Sequence, residues 1–536
     1  MRVLLSQCSP VVGDISGNVQ LCLAGIREAH AKGAVIALFP ELALCGYPPR
    51  DLLERKDLVL ACMAAAEQVA ASTAGTAVIA VFGTPWEDRG LRNSAVVAAN
   101  GRIVAVRHKT LLPTYDVFDE GRYFVPEVDP MPVRVGEFLL GVTICEDIWN
   151  EPGLVRHAYA LDPVERMRGC DVVLNLSASP FHAGKGQLRI DLLRRQAGQA
   201  RSTIVYCNQV CGNDELLFDG GSLVATADGS ILHQGRQFVA ENVVVETAAG
   251  AVKLDYPPFE CEVYQALVMG CRDYATRTGF RNVVLGLSGG IDSALVACIA
   301  ADALGPQNVL GLLMPGPYSS PGSVVDAEQL AHNLGCPTET VPIGPIFTAF
   351  LGSLAPMFAG RPPDVTEENL QARARGSVLM AASNKFAHLL LTTGNKSEMA
   401  VGYCTLYGDM NGGLAVIGDV FKTDVYRLSQ YCNRDIIRIP LTTISKPPSA
   451  ELAPNQTDQD SLPPYAVLDA ILRLYVEGVA DTDSIVAKGY DRALVERVVR
   501  LVVKSEHKRW QAAPVLRVSA RAFGSGRRIP LANRWR

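Results

Sequence analysis

Val283-Val284-Leu285-Gly286-Leu287-Ser288-Gly289-Gly290-Ile291-Asp292-Ser293-Ala294-Leu295-Val296 decides the fold of the second half of the chain. A short β-branched run stops at a glycine-rich loop, and small and apolar residues then continue to Leu304 without a breaker. The segment reads as buried strand, tight loop and helix. Backbone N–H groups of such a loop, with the positive end of the following helix, can surround a phosphate chain, and glycines permit the close approach. No Gly-Lys-Ser/Thr follows, so this is not a Walker loop, and the spacing is not that of a GxGxxG dinucleotide turn.

Outward from this loop the alternation continues, with a helix expected over 293–304, a strand over 309–314, a helix over 323–334 and a strand over 339–343. That pattern predicts an α/β domain with a doubly wound parallel sheet, whose ligands lie at the carboxyl ends of the strands. Leu389-Leu390-Leu391 is a further buried strand, running into the polar Thr392-Thr393-Gly394-Asn395-Lys396-Ser397-Glu398. The irregular stretch 446–464 carries five prolines, and a loop of that length inside a domain is more often functional than idle.

In the first half, apolar runs at 3–5, 34–39, 77–82, 139–144, 172–176 and 204–206 alternate with helical patterns such as 19–32 and 188–201, again α/β. Asn100-Gly101 and Asp228-Gly229 lie between β-branched runs and read as two-residue hairpin turns, so the sheet is mixed. Asp255-Tyr256-Pro257-Pro258 breaks any regular element before a helical pattern resumes near Cys261. The expected domains are therefore 1–250 and 261–536, joined by a linker over 251–260.

The length of 536 residues suits two large cores, and 48% hydrophobic with 20% charged residues is a globular composition. A net charge of -5 argues against a nucleic-acid partner, and the arginine-rich end, 517–536, reads as a solvated or interface-forming tail. No apolar run approaches the roughly 20 residues of a membrane helix, and the first residues turn polar too soon for a signal peptide; a cytoplasmic protein with no membrane partner is expected. Fourteen cysteines without a regular framework are expected to be reduced.

Three residues in the first half end apolar runs: Glu41 after Phe39-Pro40, Lys109 in His108-Lys109-Thr110-Leu111-Leu112-Pro113, and Cys145 after Gly141-Val142-Thr143-Ile144. A cysteine at a strand end is expected to emerge from the core. Together with Asn175-Leu176-Ser177-Ala178-Ser179-Pro180-Phe181, the three resemble the Glu-Lys-Cys triad of the nitrilase superfamily. The resemblance implies an α-β-β-α sandwich and hydrolysis of an amide, here glutamine. Glu41 is then the general base, Cys145 the nucleophile and Lys109 the oxyanion partner. By the same resemblance Tyr115, Ser179 and Lys185 hold glutamine, and Glu120 supports Lys109.

Ser288-Gly289-Gly290-Ile291-Asp292-Ser293 resembles the signature of the ATP pyrophosphatase family, with its adenine nucleotide α-hydrolase-like fold. Members cleave ATP between the α and β phosphates and adenylate a substrate, which calls for Mg2+ beside the loop. Gly286, Leu287 and the hexapeptide Ser288, Gly289, Gly290, Ile291, Asp292, Ser293 are the expected ATP contacts, with Thr393; Asp292 and Glu398 are the candidate metal carboxylates. Glu368-Asn369-Leu370-Gln371-Ala372-Arg373-Ala374-Arg375, Thr393-Gly394-Asn395-Lys396-Ser397-Glu398 and Tyr407-Gly408-Asp409 are similar to motifs of the NAD synthetase family. That similarity implies that Lys422 and Ser449 also contact ATP, and that Asn369, Arg373, Glu398 and Lys508 contact deamido-NAD. Leu406 stands where the shorter, ammonia-using synthetases tend to carry lysine, so that contact is not carried over.

The two halves together imply glutamine-driven amidation of an adenylated carboxylate, releasing AMP, pyrophosphate and glutamate, with ammonia passed through an internal channel. The partners implied are ATP, deamido-NAD and glutamine, in a homo-oligomer as large as an octamer. Two other readings stay open from residues alone: amidation of a different adenylated substrate, and a nucleotide-binding regulator with degenerate sites.

Overall fold

The computed structural model describes residues 1–151, 153 and 159–533, in two compact units, Met1–Pro257 and Pro258–Arg536. In the first unit two six-stranded sheets repeat one plan. The first runs, in spatial order, Glu241–Glu246, Arg2–Gln7, Ile36–Leu38, Ile79–Glu87, Leu91–Ala99, Arg102–His108, with the second to fourth strands parallel and the rest antiparallel. The second runs Ile231–Gln234, Leu223–Ala225, Ile204–Asn208, Val172–Ser177, Phe138–Ile144, Val133–Val135, again with three parallel central strands.

Period-two alternation explains why these runs are apolar throughout. Val3, Leu5, Ile36, Leu38, Val81 and Val97 face Leu140, Val142, Leu174 and Val205 of the other sheet, while Leu4, Ala37, Ala80, Phe82 and Val96 turn outward against helices Ile15–Ala31 and Lys56–Ala71. Helix Lys185–Ala200 covers the outer face of the second sheet through Ile190, Leu193 and Ala197. Each valine, leucine, isoleucine or phenylalanine among them contributes about 1.5–3 kcal/mol by leaving water. The result is an α-β-β-α sandwich.

Asn100 and Gly101 both adopt positive φ, 54° and 78°, and join Leu91–Ala99 to Arg102–His108 as a two-residue turn. Asp228-Gly229 differs from expectation. The connection spans 226–230, closed by Thr226 N–H to Ser230 O at 2.9 Å, and of the two only Gly229 has positive φ. The Asp228 carboxylate accepts from Thr226 Oγ1 and from Ser230 N–H, and this local capture widens the turn.

The second unit is built on a parallel sheet ordered Thr338–Thr340, Val309–Leu313, Val283–Gly286, Leu389–Thr392, Leu414–Ala415. The chain winds outward from the central strand and then returns to its other side, so the carboxyl ends of Val283–Gly286 and Leu389–Thr392 flank the switch point. The strand expected over 339–343 is shorter, because Ile343 already caps helix Gly344–Phe358. The arginine-rich end is not a uniformly solvated tail: Arg517 and Arg527 are buried, and Arg527 donates to Glu506 at 2.7 Å. The last three residues of that stretch, 534–536, lie outside the described residues.

Candidate active sites

Glu41 follows strand Ile36–Leu38 at a point where the backbone of 40–42 crosses Gly83. A Cβ on Gly83 would lie 2.2 Å from Leu42 N and 2.7 Å from Glu41 C, so only glycine lets this segment pass. Gly83→Ala is expected to displace Glu41 and lower glutamine hydrolysis about a hundredfold, a loss read directly as glutamate release.

Lys109 begins the loop after Arg102–His108, its N–H bonded to Asn93 O at 2.8 Å. Its ammonium donates to Glu41 Oε1 at 2.7 Å and Glu120 Oε1 at 2.8 Å, with all three side chains buried. Asn93 Nδ2 donates to Glu41 Oε1 at 2.7 Å and Glu120 Oε2 at 3.4 Å, and Tyr47 donates its hydroxyl to Glu120 Oε1 at 2.9 Å. Glu41 Oε2 accepts from Ala178 N–H at 3.0 Å.

Cys145 ends strand Phe138–Ile144 and opens the short helix Cys145–Ile148 with φ +45°, a conformation that costs a non-glycine residue on the order of 1–3 kcal/mol. Asp147 holds this turn: its carboxylate accepts from Ile144 N–H at 2.9 Å, Thr110 N–H at 3.0 Å and Leu111 N–H at 2.8 Å, tying the cysteine turn to the segment after Lys109. The thiol does not emerge as expected for a strand end; Cys145 is 5% exposed.

Charge follows from this enclosure. Burial pushes the Cys145 thiol well above its usual range, with Glu41 adding to the shift and Lys109 opposing it. At rest Cys145 is therefore a thiol, and its use as a nucleophile would call for a base. Burial alone disfavours the Lys109 ammonium, yet Glu120 and Glu41 hold it well above its ordinary value. Burial pushes Glu120 up to about 7, against the pull of Lys109.

Since the folded value of Glu120 lies above its ordinary 4.5, the folded state binds its proton more tightly than the unfolded chain. The corresponding stability is fully present below pH 4.5 and is lost as pH rises through about 7. Calorimetry should show the thermal midpoint of the first unit falling between pH 5 and 8, with a shallower slope in Glu120→Gln.

Of the expected glutamine contacts, Tyr115 donates its hydroxyl to Glu146 Oε1 at 2.9 Å, and Lys185, the first residue of its helix, donates to Pro180 O at 2.7 Å and lies over the Trp149 ring. Ser179 is buried beside Ala178, its N–H on Asn208 Oδ1 at 2.9 Å. Glu146 was missed in the sequence. It also accepts from Tyr159 at 3.1 Å and feels the positive charge of Lys109 and Lys185, which brings Tyr115 and Lys185 to one acidic group next to the nucleophile. Its place directly after Cys145 was the available signal. Asn93 was missed too; an Asn-Ser pair directly before the apolar run 95–99 of its strand could have marked it.

In the second unit a cavity of about 300 Å³ opens at the switch point. Gly286, Leu287, Ser288, Gly290, Ile291, Asp292, Ser293, Thr393, Glu398, Lys422 and Ser449 line it, with Gly289 behind the lining. Gly289 has φ +75°, and its missing Cβ would lie 2.1 Å from Ser323 O in the first turn of helix Pro321–Leu334. The proline-rich stretch 446–464 forms a wall: Glu451 accepts from Ser320 Oγ at 3.0 Å and Ser323 Oγ at 2.7 Å, and Lys446 donates to Asp326 at 3.1 Å.

The polar end of the cavity is a charge cluster. Lys422 donates to Asp292 and lies 3.6 Å from Glu398, while Asn395 donates to Asp292 Oδ1 at 2.9 Å. Burial first, then the Asp292 charge, pushes Glu398 up to about 8. Asn369, Arg373 and Lys508 do not line the cavity. They gather instead on the neighbouring loop 402–406: Asn369 accepts from Thr405 Oγ1 at 2.8 Å, Arg373 donates to Leu406 O at 3.3 Å, and Lys508 donates to Gly402 O at 2.7 Å and Cys404 O at 2.6 Å. Tyr403 and Thr405 of that loop do face the cavity.

Known proteins share both halves. Residues 2–253 match the carbon-nitrogen hydrolase family and residues 263–512 the NAD synthase family. The chain is 44% identical to a glutamine-dependent NAD(+) synthetase of Thermotoga maritima, covering 100% of this chain and 99% of that one. It is 46% identical to the Synechocystis protein of the same name, over 99% and 98%. The solved structure of glutamine-dependent NAD+ synthetase from Acinetobacter baumannii in complex with ADP is 40% identical, covers 99% of this chain and 98% of its own, and superposes with a TM-score of 0.78.

Proposed function

Because the chain belongs to the family of glutamine-dependent NAD(+) synthetases, a glutamine-hydrolysing ligase acting on ATP, deamido-NAD and glutamine, we propose the following division of labour between its residues. Glutamine is hydrolysed at Cys145. The ammonia it yields amidates the nicotinate carboxylate of deamido-NAD, activated as its adenylate in the cavity at Ser288-Gly289-Gly290-Ile291-Asp292-Ser293.

Glu41 takes the thiol proton as sulfur attacks the amide carbon. Oε1 of Glu41 is occupied by Lys109 and Asn93, so Oε2, with one bond from Ala178 N–H, is the oxygen with room to accept it. The Lys109 ammonium stabilises the tetrahedral oxyanion. Glu41 then gives the proton to the departing ammonia and later activates water against the thioester, releasing glutamate. Tyr115, Ser179 and Lys185 orient glutamine, and Glu146 supplies an anionic partner for its ammonium group. The observation that carries this reading is the buried Lys109 bonded to two carboxylates and electrostatically linked to a nucleophilic thiol on a strained turn.

At the second site the N–H groups of the glycine loop and Lys422 hold the phosphates, and Ser449 and Thr393 lie on the same wall. Asp292 and Glu398 fit a magnesium ion, as two hard oxygen donors whose mutual repulsion a cation relieves. Mg2+ bound there would neutralise the leaving pyrophosphate. Asn369, Arg373 and Lys508 shape the loop that receives deamido-NAD. Ammonium is not a nucleophile, so ammonia travels to the adenylate along a sheltered path.

Among the described residues no helix is long and apolar enough to cross a membrane, and both nucleotide substrates suit a cytoplasmic setting. Self-association is supported by helix Gly344–Phe358, whose Phe350 and Met357 stay exposed while only Phe347 is buried. Pyrophosphate release tested with deamido-NAD against other carboxylic acids checks substrate choice. Deamido-NAD alone should drive it; equal release with unrelated acids would refute the assignment.

A further inference from the structure

We propose that Asn93 is a positioning residue of the glutaminase, holding Glu41 by its carboxamide so that the base stays aimed while Lys109 is shared with Glu120. The inference rests on the glutaminase reading above. Asn93 is 1% exposed in strand Leu91–Ala99, and it touches the site three times. Its Nδ2 donates to Glu41 Oε1 at 2.7 Å and to Glu120 Oε2 at 3.4 Å, and its backbone carbonyl accepts Lys109 N–H at 2.8 Å.

The orientation of the amide is set by this chemistry. The Glu41 and Glu120 oxygens within reach accept from the NH2, which sends Oδ1 the other way. There Oδ1 is buried with no hydrogen-bond partner among the described residues. A side chain selected for packing alone would not leave a buried acceptor unmet; its donor side sets its position. Two carboxyl groups share one ammonium here, and the neutral NH2 of Asn93 bridges the same pair without competing for the thiol proton.

The groups facing Glu41 are Lys109, Glu120, the Cys145 thiol, the Tyr47 hydroxyl and the Cys45 thiol. Removing a donor leaves Glu41 among the negative field of Glu120 with Lys109 as its remaining side-chain donor. A base held by one donor fewer is less well aimed at the thiol, so the rate of the chemical step falls while the groups that bind glutamine are untouched.

The test is the split between kcat and KM for glutamine in full-length Asn93→Ala and Asn93→Asp, with ammonia-driven NAD formation measured on each preparation. Asn93→Ala should lose about a hundredfold in kcat with KM for glutamine kept within about twofold and the ammonia-driven rate unchanged. Asn93→Asp keeps the volume but replaces the NH2 donor with a third carboxyl group, so its kcat should fall at least as far. Were Asn93→Ala misfolded, as loss of its ammonia-driven rate would reveal, the isosteric Asn93→Asp carries the test. A glutaminase kcat equal to that of the unmodified protein, or a loss confined to KM, in the folded variants overturns the proposal and leaves Asn93 a structural residue. Absence of glutaminase in the unmodified protein overturns the underlying reading instead.

Discussion

Cys145→Ala should form NAD from ammonia at the rate of the unmodified protein while its glutamine-driven rate falls at least about ten-thousandfold, the scale on which removal of a covalent nucleophile is felt. The expectation follows from where the chemistry resides. Cys145 lies in the unit Met1–Pro257, whereas the cavity at the glycine loop lies wholly in Pro258–Arg536 and needs only a nitrogen nucleophile. Loss of a buried thiol on a strained turn should not unfold the chain, since alanine fits the volume and Asp147 still holds the turn through three backbone N–H groups. Both rates are measured as NAD formed, with glutamine or ammonium as the only nitrogen source. Loss of both in a folded variant would contradict the division of labour.

Gly289→Ala should give the mirror image. Its φ of +75° and a Cβ placed 2.1 Å from Ser323 O force the loop to move, because the obstacle is backbone at the start of a helix and cannot rotate away. The loop N–H groups proposed to hold phosphate then point elsewhere, and displacement of this order costs about a hundredfold or more. NAD formation should fall equally with glutamine and ammonia, while glutamate release continues. A variant that retained ammonia-driven synthesis would show that the loop is not the phosphate cradle.

What could be read in the chain without coordinates follows the range of the forces involved. Strand and helix patterns are local, so Arg2–Gln7 and Phe138–Ile144 enclose the runs that announced them and Val283–Gly286 lies within its own, and Asn100-Gly101 makes its turn because both residues tolerate positive φ. Asp228-Gly229 misled because the Asp228 carboxylate captured nearby donors, an outcome that turn composition alone does not distinguish.

Glu41, Lys109 and Cys145 could be named because the segments that carry them at the ends of apolar runs resemble the nitrilase triad, and Glu41 and Lys109 meet across 68 residues. The residues that hold them were not. Gly83, Asn93 and Asp147 act through contacts between separate strands and loops, for which no sequence period exists. In the second unit the glycine loop gave most of its own wall of the cavity. Asn369, Arg373 and Lys508 could be placed only by resemblance, and they bond the loop 402–406 and not the cavity itself. The arginines at the end looked solvated because their partners, such as Glu506 for Arg527, lie far from them in the pattern that sequence displays.

The most direct measurement follows one nitrogen atom. The unmodified protein is given ATP, magnesium, deamido-NAD, glutamine labelled with 15N in the side-chain amide, and an excess of unlabelled ammonium, and the carboxamide of the NAD formed is analysed by mass spectrometry. Nitrogen freed at Cys145 and delivered to the adenylate predicts NAD carrying predominantly 15N. NAD whose isotope content follows the bulk ammonium would contradict it.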